Sequence, residues 1–189
     1  MTELDALVTA WFHGHRQPLL TKFMWLITTW HSLAGVSVMA VGLAALLYRR
    51  RLMGWLCLLA ISVPGVAALN AALKQVFHRL RPHFDDPLVL INSYSFPSGH
   101  TSAATVFYGF LVMFWLSSRC DFSLSRRLGI VAAAVLMVLL VAVSRVYLGA
   151  HYLSDVLFAM VEGLLWLGFG IALLRSRLSS PNEGPHAQR

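Results

Sequence analysis

The chain has 189 residues, 58% of them hydrophobic and only 12% charged, with a formal net charge of +7. Soluble domains usually contain about 45–50% apolar and about 25% charged residues. At a mean hydropathy of +0.67, the bilayer is the natural solvent for most of this sequence.

The positive charge does not mark a nucleic-acid binder. Arginines fall in short runs between apolar stretches, at Arg49-Arg50-Arg51, Arg119, Arg126-Arg127 and Arg175/Arg177. That distribution fixes topology in a membrane rather than building a basic face. Cys57 lies in an apolar run and Cys120 in a basic loop, so neither reads as a disulfide or a metal site.

In chain order, residues 1–32 are apolar but broken by His13 to Pro18 and by Lys22, and they carry Trp11, Phe12, Trp25 and Trp30. This region reads as two short amphipathic helices lying at the membrane interface, broken near Gly14–Pro18, with a sixth span as the alternative. Glu3 and Asp5 stand where a signal peptide would be basic, so no cleavable signal is expected. Five stretches near 33–48, 53–73, 101–118, 128–146 and 153–174 are apolar on all sides, and a span needs about 20 such residues. Helices are expected throughout, because an open sheet leaves backbone groups unsatisfied in lipid. The fold class is therefore all-α: a polytopic membrane helix bundle of about five transmembrane helices plus N-terminal interfacial helices. A single domain covers 1–178, with the bundle at 33–174, and the Pro- and Gly-containing segment 179–189 reads as a disordered tail.

Nine Lys/Arg fall on the side holding 49–52, 119–127 and 175–189, against six on the other. The richer side is expected to be cytoplasmic. The loop 74–100 then faces the periplasm or cell exterior, and the location is the inner (plasma) membrane.

Three clusters gather on that outer side. Lys74 and Arg81 are seven residues apart, two helical turns, so both are expected to point the same way and form a candidate clamp for phosphate oxygens. Pro97-Ser98-Gly99-His100 precedes the next span, where a helix N-terminus favours an anion. Ser144-Arg145 is followed by His151 and Asp155. Their spacing of four suits one helix face, with the carboxylate orienting one ring nitrogen and freeing the other. Singly, each cluster reads as a snorkelling anchor, an interfacial histidine or a helix cap. Jointly they do not, since the topology brings all three to one membrane face.

With these residues the chain resembles the type 2 phosphatidic acid phosphatase superfamily, which also includes the vanadium haloperoxidases. The family pattern K-x6-R-P, P-S-G-H and S-R-x5-H-x3-D is matched in order by Lys74…Arg81-Pro82, Pro97-Ser98-Gly99-His100 and Ser144-Arg145…His151…Asp155. The N-terminal region lacks the extra first span of six-span members. The resemblance implies catalysis by His151 as nucleophile, Asp155 as its orienting partner and His100 as proton donor and then base. It implies phosphate binding by Lys74, Arg81, Ser98, Gly99 and Arg145. A neutral His151 working with a protonated His100 implies a bell-shaped pH–rate profile.

No cofactor and no metal are expected. Of eight acidic residues only Asp155 lies in the motifs, whereas two-metal phosphatases need several converging carboxylates. Activity that survives a chelator is the corollary, and Asp85-Asp86-Pro87 reads as a solvated turn. Residues 83–96 are expected to border the site, with His78, Arg79 and His83 as candidates for a second phosphate. The expected partners are the bilayer and a lipid phosphate or diphosphate, with undecaprenyl diphosphate leading. Phosphatidylglycerophosphate, phosphatidic acid and lipid A phosphate are the alternatives. Phosphotransfer to another lipid is a competing reaction. A lipid-headgroup binding or transport protein is the non-enzyme alternative, one that needs Lys74 and Arg145 but not His151.

Overall fold

The computed structural model describes residues 2–118 and 122–179, and within these all regular structure is helical. Seven helices follow in order: α1 (Glu3–Gly14), α2 (Pro18–Trp30), α3 (Leu33–Arg49), α4 (Met53–Phe77), α5 (Gly99–Ser118), α6 (Leu124–Tyr147) and α7 (Leu153–Ser179). The expected disordered tail falls almost entirely outside the described residues, as do Arg119 and Cys120.

Local chemistry sets the boundaries. Thr2 and Asp5 form a reciprocal capping box at the start of α1. The break before α2 falls at the expected place, with Pro18 in the first turn, where its missing N–H costs nothing. Ser32 and Ser123 cap α3 and α6 by accepting from Gly35 and Arg126 N–H groups. His78, in the left-handed region at φ 46°, ends α4.

Helices α4, α5, α6 and α7 are each long and apolar enough to cross a membrane. Helix α3 has only 17 residues; joined to α2 across a 50° bend, it makes a fifth candidate span. The count of about five thus holds when α2 and α3 are one broken span. Helix α2 does not simply lie on a surface. It packs along α6 and buries Met24 and Thr28.

Helix α5 sits centrally, against α4, α6 and α7. Its Val106, Phe107 and Phe110 meet Val36 and Leu47 of α3, Leu58, Leu59 and Val66 of α4, and Leu167 of α7. Lipid is as apolar as these side chains, so close packing rather than water exclusion holds them together. Gly163 shows how close the approach is: a Cβ there would lie 2.8 Å from the Thr105 side chain of α5. The outward faces carry large apolar residues such as Leu19, Val135 and Leu165, all exposed, as a lipid-facing surface requires.

A candidate active site at one end of the bundle

The C-terminal ends of α4 and α6 and the N-terminal ends of α5 and α7 meet at the same end of the bundle, and the three motif clusters converge there. Two of the helical-spacing arguments do not survive in detail. Helix α4 stops at Phe77, so Arg81 is not on it; the chain turns back at His78 and returns Arg81 by a loop. His151 precedes α7, in the turn 148–152, so it meets Asp155 from a loop rather than along one helix face. Gly149, at φ +69°, makes that turn possible. A Cβ there would also press to 3.1 Å on the Phe84 ring.

His151 and Asp155 are buried. The His151 Nδ1 lies 3.5 Å from Asp155 Oδ2, a long contact by hydrogen-bond standards. On its other side, Nε2 lies 3.2 Å from an Arg81 guanidinium nitrogen. Burial, with the Arg145 and Arg81 cations adding to it, pushes His151 down to about 3, against the opposing pull of the Asp155 carboxylate. The imidazole is therefore neutral at physiological pH.

Asp155 takes three hydrogen bonds on its carboxylate. Its Oδ2 accepts from the Ser95 hydroxyl and from the Tyr152 N–H at 2.9 Å. Its Oδ1 accepts from Arg79 at 2.6 Å. Arg79 also reaches Asp5 of α1 at 2.8 Å. That corrects one expectation: Arg79 is committed to two carboxylates and is not a free cation for a second phosphate. His78 packs edge-on against Tyr94, and His83 is exposed.

Arg81 is held by carbonyls of Ser93, Tyr94 and Ala150. Burial lowers its proton affinity, against the Asp155 charge. Lys74 donates to the carbonyls of Tyr94, Ser95 and Pro97. The loop 78–98 thus borders the site as expected. It flanks a cleft of about 480 Å³ lined by Lys74, Gln75, Leu80, Arg81, Asn92 and Tyr94, among others. Asp86 is not simply a solvated turn residue. It pairs with His13 at 3.2 Å and Arg16 at 3.3 Å, clasping the outer loop to the α1–α2 corner.

Ser98 is buried just before α5, its N–H donating to the Asp155 carbonyl at 3.3 Å. Gly99 opens α5, and a Cβ there would lie 3.1 Å from Asn70 Oδ1, so the residue packs against α4. His100 sits in the first turn, half-buried, where Arg145, His151, Arg81 and His31 all act on it electrostatically. Arg145 is buried on α6. It donates to Thr28 of α2 at 2.5 Å, while its Nε has no protein partner.

Sequence reasoning missed Asp5, Ser95, Asn70 and Glu162. Glu162 accepts from Ser102 at 2.6 Å and from Asn70 at 3.2 Å, tying α7 to α5 and α4 directly below the Ser98–Gly99 turn. A lone carboxylate in an apolar span was the available signal, since such a residue is costly in a bilayer without a role. Asp5 gave no signal, because its partners lie 74 and 149 residues away. Among the described residues, no group of three or more His, Cys, Asp or Glu converges as a metal site.

Residues 54–178 match the PAP2 superfamily. The chain is 36% identical over 152 residues to phosphatidylglycerophosphatase B of Bacillus subtilis, covering 79% of this chain and 73% of that protein. It is also 36% identical over 80 residues to lipid phosphate phosphatase delta of Arabidopsis thaliana, covering 42% of this chain and 19% of that one. Among solved structures, the transmembrane PAP2-type phosphatidylglycerolphosphate phosphatase of Bacillus subtilis superimposes with a TM-score of 0.76 at 28% identity, over 95% of this chain and 87% of that chain. LpxE of Aquifex aeolicus superimposes at 0.72 and 22% identity, over 90% and 96%, and shares the fold. With its three motif clusters joined at one end of a helical membrane bundle, the chain belongs to the PAP2 superfamily and is a multi-pass membrane lipid phosphatase.

Proposed function

We propose that this enzyme hydrolyses a lipid phosphate through a phosphohistidine formed on His151 Nε2. The observation that carries the reading is the two-sided setting of His151. Its Nδ1 faces the Asp155 carboxylate, and its Nε2 faces a cation that can also hold phosphoryl oxygens. Neutral His151 attacks phosphorus, the bond to the lipid oxygen breaks, and His100 gives that oxygen its proton. Water then attacks the phosphohistidine, loses a proton to His100, and the phosphorus–nitrogen bond breaks to release inorganic phosphate. Asp155 stabilises the positive charge that the ring carries in between.

Arg81 and Arg145, with the Ser98 hydroxyl and the backbone at Gly99, bind the phosphoryl oxygens. Lys74 contributes positive charge while its hydrogens hold the Pro97–Ser98 carbonyl turn. Such positioning and electrostatic stabilisation is most of what phosphoryl transfer needs. With His151 neutral down to about 3, the acidic limb of kcat/KM lies far below neutrality. The excess of basic residues at the opposite end favours a site facing the periplasm or cell exterior.

Phosphatidylglycerophosphate is the substrate favoured by the Bacillus subtilis match, in both sequence and structure, and by the commitment of Arg79 to Asp5 and Asp155, which leaves it unable to clamp a second phosphate. Undecaprenyl diphosphate is the second reading, favoured by Arg16. This arginine lies beside Gly149, and its Nε and one terminal nitrogen have no partner. The deciding experiment is phosphate release by detergent-purified protein from both lipids, phosphatidic acid and lipid A phosphate, beside His151→Ala. Fastest turnover of phosphatidylglycerophosphate, with none by the variant, is expected. Faster release from undecaprenyl diphosphate that falls with Arg16→Ala establishes the second reading. Equal release by His151→Ala overturns the phosphohistidine.

A further inference from the structure

We infer that Asp5, Arg79 and Ser154 form a positioning relay that fixes the Asp155 carboxylate, making the N-terminal helix α1 a working part of the catalytic site. Arg79 stands outside the three motifs and Asp5 lies 150 residues from Asp155 in sequence. Even so, the two make one connected network. Asp5 is 1% exposed. Its Oδ2 accepts from Arg79 at 2.8 Å and from the Ser154 hydroxyl at 2.8 Å, while its Oδ1 accepts the Ser154 N–H at 2.9 Å. The other Arg79 nitrogen closes the ring, donating to Ser154 Oγ at 2.7 Å and to Asp155 Oδ1 at 2.6 Å. The Arg79 guanidinium lies 4.5 Å over the Tyr152 ring, which limits its rotation.

The wiring explains a division of labour on Asp155. Ser95, the Tyr152 N–H and His151 share Oδ2, whereas Oδ1 is taken by Arg79. One guanidinium between two buried carboxylates sets both the angle of Asp155 and how much of its charge His151 feels. Asp5 is suited to hold that guanidinium permanently. Burial opposes its charge, but hydrogen bonds from Ser154 and Arg79 hold its carboxyl well below the usual range. It also takes a first-turn N–H of α7, where a negative charge is favoured.

The groups facing His151 are Asp155 of α7, Arg145 of α6, Arg81 of the loop and His100 of α5. Lys74 of α4 acts on Asp155, and Arg79 reaches His151 only through Asp155. Loss of the Arg79 charge strengthens the pull of Asp155 on an imidazole proton and moves the acidic limb of kcat/KM upward. Arg79→Lys keeps the charge but loses the fork.

The inference rests on the phosphohistidine reading, so the test carries His151→Ala as a control. Full-length wild type, Arg79→Gln, Arg79→Lys, Asp5→Asn and Asp5→Glu are purified in detergent, checked for folding, and assayed with phosphatidylglycerophosphate across pH. Arg79→Gln is expected to lose about 10²-fold in kcat with little change in KM, and its acidic limb to rise by about one pH unit. Arg79→Lys is expected to lose kcat while keeping the wild-type limb. Asp5→Asn is expected to lose about tenfold in kcat, partly restored in Asp5→Glu. Turnover by His151→Ala overturns the underlying reading. An inactive His151→Ala beside Asp5→Asn and Arg79→Gln with wild-type kcat and pH profile overturns the relay alone. Should Arg79→Gln fail to fold, an unchanged kcat in Asp5→Asn overturns it just as well.

Discussion

The two ends of this bundle are built on different physics. Around Leu47, Leu58, Phe110 and Leu167 the helices meet through apolar side chains, and lipid would solvate each of those side chains about as well as the protein does. At the other end, Asp5, Ser95, Ser98, Arg145, His151 and Asp155 are all buried and polar, and most of them are joined by directed contacts such as Ser95 to Asp155 and Arg145 to Thr28. The apolar end is held by shape, and its contacts are individually replaceable. The polar end is held by direction, and removing one partner leaves another buried group unsatisfied at a cost of about 1–3 kcal/mol, more for a charge.

Substitutions at the two ends should therefore fail differently. The largest effect is expected from Asp155→Asn, which keeps shape but removes the carboxylate charge beside His151, the charge that the proposed mechanism uses to orient the ring and stabilise its cation. A loss of about 10³–10⁴-fold in kcat is expected, measured by phosphate release from purified protein. A loss under tenfold would mean that the polar end does not act through this pair. Next comes Arg145→Lys, which keeps the charge but removes the planar fork. It is expected to lower kcat by about 10²–10³-fold while leaving thermal stability in detergent near that of wild type.

Phe110→Ala tests the apolar end. With little transfer energy to lose in lipid, only the unfilled cavity remains, so about 1–3 kcal/mol of stability is expected to go. kcat per folded molecule should be unchanged; a drop in kcat would show that the two ends are mechanically coupled. The smallest effect concerns acid. The folded value of His151 is depressed from 6.5 to about 3, so the unfolded chain binds more protons between those values, and stability falls as pH drops through that window. The lowered Asp5 carboxyl acts in the same direction below 3.8. A thermal melt from pH 7 to pH 4 is expected to show declining stability, with a shallower decline in His151→Asn.

Motif residues were legible in the sequence because their chemistry is local: basic residues at a span end, a Ser-Gly pair at a helix start, a histidine and an aspartate four apart. Their routes to one another were less legible. The seven-residue spacing of Lys74 and Arg81 looked helical, yet His78 ends α4 and a loop performs the approach. His151 and Asp155 met as expected, but across a turn closed by Gly149. Helix α2 read as a surface helix from its tryptophans, whereas packing on α6 gave Thr28 to Arg145.

Local sequence is enough to put this chain in a membrane as helices, to place most of its breaks and to mark its family. Hydropathy, caps and motif spacing are properties of neighbours along the chain, so they need no fold to be read. Tertiary structure alone decided that Asp5 meets Arg79, that Arg79 meets Asp155 and that Glu162 meets Asn70. Each of these pairings joins residues more than 70 positions apart, and a charge buried in a low-dielectric interior must find its partner wherever packing brings one.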